Sequence, residues 1–195
     1  MGRAGQQYQI SLKTGKLSFN GLRALIYIDA QPPSAEVRQS IHKFVNDGGL
    51  LITTPIWGDV GTATADEHPR YTARRLGAGR IAISREGGHD PYQLANDAGI
   101  LVSHRYDLVR LWNTGSSGSY LTVSPDGAKA VAHLLFYANQ GPDSASVRIA
   151  GKYKKARLAT VGSAGLQSLP VELQRDAMEI HLPPVPQYIA LELEA

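Results

Sequence analysis

Cysteine is absent from this sequence. That removes disulfides, thiolate zinc sites and a cysteine nucleophile together, and leaves the compartment open. Long apolar runs are missing too. Nothing approaches the roughly 18 residues of a membrane span, and no signal-peptide pattern opens the chain, so no membrane partner is expected. Charge of one sign is scarce: 20 Lys and Arg stand against 17 Asp and Glu among 195 residues. The balance is eleven against nine through His104 and nine against eight afterwards, so no basic half exists to hold nucleic acid. The densest basic cluster, KYKKAR at 152–157, sits between two alternating segments and reads as a solvated turn.

What is present is turn chemistry and β-forming sequence. Twenty Gly and eleven Pro imply many turns, and a hydrophobic fraction of 43% is ordinary for a globular protein. The clearest unit is βαβ. LRALIYID (22–29) is a nearly continuous apolar run, as expected of a strand covered on both faces. Ser34 is placed to cap a helix in which Val37, Ile41, Phe44 and Val45 form one apolar stripe. Gly48 and Gly49 stop it, and LLITT (50–54) returns as a buried strand, parallel to the first. YQIS (8–11) is expected as a short edge strand and RIAIS (80–84) as another strand. DPYQLANDAGILV (90–102) predicts a helix capped by Asp90 with Pro91 in its first position. Residues 55–79 lack periodicity and are expected to form a long surface excursion.

After about Arg105 the pattern changes to short strand-like segments separated by Gly, Pro, Asn and Asp, with SPDGAK (124–129) as a hairpin turn. Seven or eight strands in that length predict a small antiparallel β-sandwich. The expected domains are therefore 1–104, α/β, and 105–195, all-β.

The order of these pieces, carried by ALIYIDAQPPSAEVRQSIHKFVNDGGLLI, DPYQLANDAGILVSHRYDLVRLWN, GAKAVAHLLFYAN and MEIHLPPVPQYIALELE, resembles the C-terminal region of multi-domain bacterial glycoside hydrolases of the β-galactosidase type. The resemblance implies a flavodoxin-like, class I glutamine-amidotransferase-like domain used for trimerisation, then a β-sandwich. The first domain then begins one βα unit late and is incomplete at its N-terminus. The barrel that carries the family's two catalytic carboxylates is absent.

The residues themselves offer little chemistry. Amidotransferase activity needs a cysteine at a strand-to-helix elbow, and no G-x-S-x-G supplies a serine instead. LGAGR (76–80) precedes a strand, so it cannot seat a phosphate on a helix N-terminus, and no cofactor is expected. SIHK (40–43) lies inside an ordinary amphipathic helix. The six histidines show no H-x-x-x-H spacing, so no metal is expected, although DEH (66–68) and GGHD (87–90) could meet in space. His133 is expected to be a packed histidine with a backbone partner.

The best ligand-binding candidates are Asp29, Thr54, Trp57 and Asp59, all beyond the carboxyl ends of the two parallel strands, where open α/β sheets bind ligands. An aromatic face beside carboxylates suits a sugar; the competing reading makes Trp57 a packing residue. Arg105, Asp107 and Arg110 fall at the domain join, and on a strand Arg105 and Asp107 would share one face. Their charges are expected to hold the domains together. No catalytic residue is assigned. The functional expectation is a non-catalytic accessory region of a glycoside hydrolase-like protein, serving assembly and domain packing, with homo-oligomers formed through the α/β domain. A carbohydrate-binding module is the alternative and a free-standing hydrolase the least favoured.

Overall fold

A computed structural model describes residues 8–12, 17–86, 90–137 and 141–195, with the side chains of 65–67 left aside. It is mostly β, with three sheets and two α-helices among the described residues. The chain folds into two compact units: Gln9–Val102, and a second that holds Ser103–Ala195.

In the first unit, β1 (Ala24–Tyr27), α1 (Ala35–Asn46) and β2 (Leu50–Thr53) form the expected parallel βαβ unit, with Leu25 opposite Leu51 and Ile26 opposite Ile52. Ser34 Oγ accepts the Val37 amide at 3.3 Å and Glu36 sits in the first turn, so the N-terminal end of α1 is capped and its dipole complemented. Gly48 takes φ +111°, a conformation side chains resist, and a Cβ at Gly49 would run into the Phe44 ring. Asp90 caps α2 (Pro91–Val102) by accepting the Gln93 amide at 2.9 Å.

Two expectations fail here. Residues 55–79 are no excursion: after a short 3-10 turn at Pro55–Trp57 they fold into β3 (Thr62–His68) and β4 (Tyr71–Leu76), an antiparallel hairpin leading into β5 (Gly79–Ser84). The sheet order is β1-β2-β5-β4-β3, so only β1, β2 and β5 run parallel. The hairpin hides from periodicity because its strands are rich in polar residues. The second failure is Tyr8–Ser11, which joins no sheet; alternation over four residues supplies no ladder partner. The strand β1 is also less covered than its apolar run suggests. It is an edge strand, with only Tyr27 buried and Ile28 beyond it 50% exposed.

Pairing register assigns the two faces of this sheet. Leu25, Tyr27, Leu51, Ile81 and Ile83 share the face that packs on Ile41, Phe44 and Val45 of α1. Leu50, Ile52, Ala82, Ala73 and Tyr71 share the other and are buried.

The second unit contains β6 (Val109–Trp112), β7 (Ser117–Val123), β8 (Lys129–Phe136), β9 (Ala145–Ala150), β10 (Lys155–Thr160), β11 (Gln167–Leu169), β12 (Glu172–Leu173), β13 (Ala177–Leu182) and β14 (Tyr188–Glu194). They form two antiparallel sheets, β11-β10-β14-β8-β7 and β12-β13-β9-β6. Alternate residues of both enter one apolar cluster, for example Ala132, Leu134, Leu158 and Leu191 from the first, Val147, Ile149, Met178 and Ile180 from the second. The turn at 124–129 is a hairpin: Asp126 accepts from Ser124 Oγ at 2.5 Å and from the Ala128 amide at 3.0 Å, and Gly127 has φ +72°. These hydrogen bonds to the charged form hold the Asp126 carboxyl below the usual carboxylate range.

Candidate functional site

Asp29 follows β1, and Thr54, Trp57 and Asp59 follow β2, but each of the four is engaged separately. Asp29 turns its carboxylate onto the Gln31 amide at 2.9 Å, a local Asx turn. Thr54 precedes the 3-10 turn, whose Trp57 amide donates to its carbonyl. Asp59 is largely exposed and reaches Arg74 at 3.4 Å. Trp57 is only 1% exposed. Its ring meets Tyr27 edge-on at 5.5 Å and His42 at 5.7 Å, and the Arg38 guanidinium covers it at 4.7 Å while donating to the Trp57 carbonyl at 2.8 Å. Trp57 therefore presents no open stacking surface; it plugs the space between α1 and the sheet. Tryptophan favours this position because a large ring fills the gap left by the short turn.

That packing leaves polar atoms stranded. His42 Nε2, Trp57 Nε1 and Thr53 Oγ1 are buried with no hydrogen-bond partner among the described residues. Thr53 faces the same side as Tyr27, directly across from it in register. Buried donors and acceptors left in this way are the usual seats of internal water. Burial first, and the Arg38 charge second, push the His42 imidazole below its ordinary pKa.

Residues that sequence reasoning missed occupy the other face. Asp97, on α2, is wholly buried and receives both Nε (2.8 Å) and Nη2 of Arg70, from the β3–β4 turn. Beside it the Tyr71 hydroxyl is pushed up to about 12, chiefly by burial and then by the Asp97 charge. His68 accepts the Arg70 amide at 3.2 Å and meets Tyr71 edge-on at 5.1 Å. The nearby Ser84 hydroxyl donates to the Glu86 carbonyl, which makes it a turn former. A single acidic residue in the middle of the apolar helix LANDAGILV was the available signal for Asp97. The arrangement is a charge-paired strut between α2 and the hairpin. Asp97 is already committed to Arg70, so it is a poor general base.

His89 and the two glycines before it in GGHD lie outside the described residues, as do the side chains of Asp66 and Glu67, while Asp90 is the α2 cap. Among the described residues no group of three His, Asp or Glu is placed to hold a metal. The sequence 103–107 is a 3-10 turn at His104–Tyr106, not a strand, so Arg105 and Asp107 do not share a strand face. Asp107 pairs with His104 at 2.8 Å, and its carbonyl accepts from Arg148 at 3.3 Å. Arg105 stacks on Tyr106 at 4.5 Å and Arg110 on Trp112 at 5.3 Å. Each of the three thus engages a residue of its own unit. No described helix is long and apolar enough to cross a membrane.

No protein-family model matches the sequence, and no curated protein sequence matches it. Solved structures do share the fold. An α-L-fucosidase isoenzyme 2 from Paenibacillus thiaminolyticus matches with a TM-score of 0.62 over 99% of this chain at 11% identity. A GH42 β-galactosidase from G. stearothermophilus matches with a TM-score of 0.50 over 89% at 13% identity. This chain spans 43% of the fucosidase chain and 32% of the β-galactosidase chain.

Proposed function

We propose that this chain is a non-catalytic accessory region of a glycoside hydrolase-like protein, an amidotransferase-like α/β half followed by a β-sandwich half, serving assembly and domain packing. The observation that carries the reading is the extent of the structural match, which takes in 99% of this chain, both units included, and less than half of the fucosidase chain. Cleaving a glycosidic bond with retention takes two carboxylates about 5 Å apart. The buried carboxylate described above, Asp97, is instead locked to an arginine.

Assembly through the α/β unit follows from its edge. Among the described residues strand β1 ends the sheet, with half-buried Ala24, Leu25 and Ile26 and exposed Ile28, and an apolar edge of this kind invites pairing. Size exclusion with light scattering at low micromolar concentration tests this: a multiple of 21.0 kDa is expected and a clean monomer overturns it. Pure protein should leave nitrophenyl glycosides intact; turnover lost on Asp or Glu substitution would refute the non-catalytic reading. The alternative sugar crevice at Asp29, Thr54, Trp57 and Asp59 requires the indole to leave its packed position, so Trp57→Ala should disturb folding before it disturbs any binding.

A further inference from the structure

Three exposed tyrosines share the outer face of the β11-β10-β14-β8-β7 sheet. Register fixes the arrangement. Tyr120, His133 and Ala190 form one outward row, Gly118, Leu135 and Tyr188 the next. Tyr120 is 61% exposed, Tyr137 48% and Tyr188 39%. Tyr188 Oη and His133 Nδ1 lie 2.7 Å apart with their rings stacked at 6.1 Å and 15°, so the pair is held as one plate. Gly118 continues it: a Cβ there would come within 3.1 Å of the Tyr137 hydroxyl, so the missing side chain makes room for that ring.

The same face changes character in the row next to Tyr120, His133 and Ala190. Arg157 pairs with Glu192 and Glu194, each at 3.1 Å, and Lys155 with Glu194 at 3.7 Å. The aromatic rows, extended to Ala159 on β10, contain no Lys, Arg, Asp or Glu.

We infer that this aromatic end of the sheet is a binding platform for a neutral carbohydrate chain. A sugar ring has an apolar C–H face and a rim of hydroxyls. Tyrosine and histidine plates in adjoining rows of one antiparallel sheet match both, the ring faces by stacking and the Oη and imidazole edges by hydrogen bonding. Charge decides against the other occupants of an aromatic sheet face. Single-stranded nucleic acid needs a cationic track beside its stacking rings, and here Arg157 and Lys155 pair with glutamates while Lys129 stands across from Glu194 and near the Asp126 charge. An acidic polysaccharide needs the same free cations. The patch contributes one large aliphatic side chain, Leu135, and the small Ala190 and Ala159 beside rings that end in polar atoms, which suits a hydroxylated ligand better than an apolar protein surface.

This binding function is separate from assembly: a monomer that binds polysaccharide would sink the assembly reading and leave the platform standing. The test is native electrophoresis of the full chain through gels containing galactan, xylan, mixed-linkage β-glucan or galactomannan, with polygalacturonate and single-stranded DNA as charged controls. Retardation by at least one neutral polymer is expected, and Tyr120→Ala with Tyr188→Ala should weaken it at least about tenfold. Tyr188→Phe keeps the ring without its bond to His133 and serves where Tyr188→Ala fails to fold; with Tyr120→Ala it should still weaken binding. Retardation by no neutral polymer, by the charged controls alone, or undiminished in the variants overturns the proposal. So does a change of oligomeric mass in Tyr120→Ala, which would make the face a contact between copies of the chain.

Discussion

The two units bury different things. Ser103–Ala195 encloses a cluster in which eighteen buried residues are all hydrophobic, drawn alternately from two sheets, and Ser117 is its one buried polar residue among those described. Gln9–Val102 has a cluster of eight on one face of its sheet, with buried Thr53 and the stranded atoms of His42 and Trp57 beside it, and buries Ser84 and Asp97 as well. An antiparallel pair of sheets needs only alternation to segregate apolar from polar residues. A mixed sheet that joins helices to a hairpin must seal its irregular joins with specific side chains. Polar residues are therefore buried where the chain changes direction, at Arg70 and at the Pro55–Trp57 turn. The α/β unit should be the more pH-sensitive and the less tolerant of polar substitution.

The chain's two tryptophans, Trp57 and Trp112, stand one in each unit. Trp112→Phe leaves the first unit as the sole fluorescent reporter and Trp57→Phe the second, so denaturation can be followed unit by unit. The largest expected effect is Arg70→Met, which strands the buried Asp97 carboxylate. It should cost the first unit about 3–5 kcal/mol in urea unfolding, and adding Asp97→Asn should recover part of that. A loss confined to the second unit's signal would contradict the strut. Leu191→Ala, in the middle of the all-apolar core, should cost the second unit about 2–5 kcal/mol and leave the first unchanged.

A pH effect is next in size. The folded His42 pKa lies below its unfolded value of about 6.5, so the unfolded chain takes up the proton first as pH falls. Stability is therefore complete above about pH 6.5 and declines as pH drops below it. The first unit's urea midpoint should fall between pH 7.5 and 5.5, and His42→Asn should flatten that slope. Thr53→Val probes the stranded hydroxyl: stability unchanged or slightly raised means a dry site, whereas a loss of about 1 kcal/mol means that a water bridges it. Smallest is Lys43→Ala, which removes the exposed pair with Asp47 at 2.7 Å and should cost under about 0.5 kcal/mol.

Local pattern was enough for the elements whose stability is local. The Ser34 cap, the stripe from Val37 to Val45 and the glycine stop identify α1 without its neighbours, and Asp90–Pro91 does the same for α2. The hairpin β3–β4 was illegible because TATADEH and YTARRL carry too few apolar residues to reveal a period; they are strands because β5 offers β4 a ladder and β4 offers one to β3. The candidate site failed for a related reason. Proximity in sequence to a strand's carboxyl end placed Trp57 correctly along the chain but not in depth, since depth depends on Arg38, His42 and Tyr27 closing over it.

By itself the sequence determined the missing chemistry, because no fold can supply an absent cysteine, and it determined the change from helix-bearing to all-strand grammar near Arg105. Alternation also decided which β8 and β14 residues point inward. Only the tertiary structure decided what the outward residues meet. Tyr120, His133 and Tyr188 are far apart in the chain and lie in adjoining rows only through pairing register. Asp97 finds Arg70 only because a turn 27 positions earlier returns to α2. Both are non-local pairings, and a period read along one strand or helix carries no information about which other segment will lie beside it.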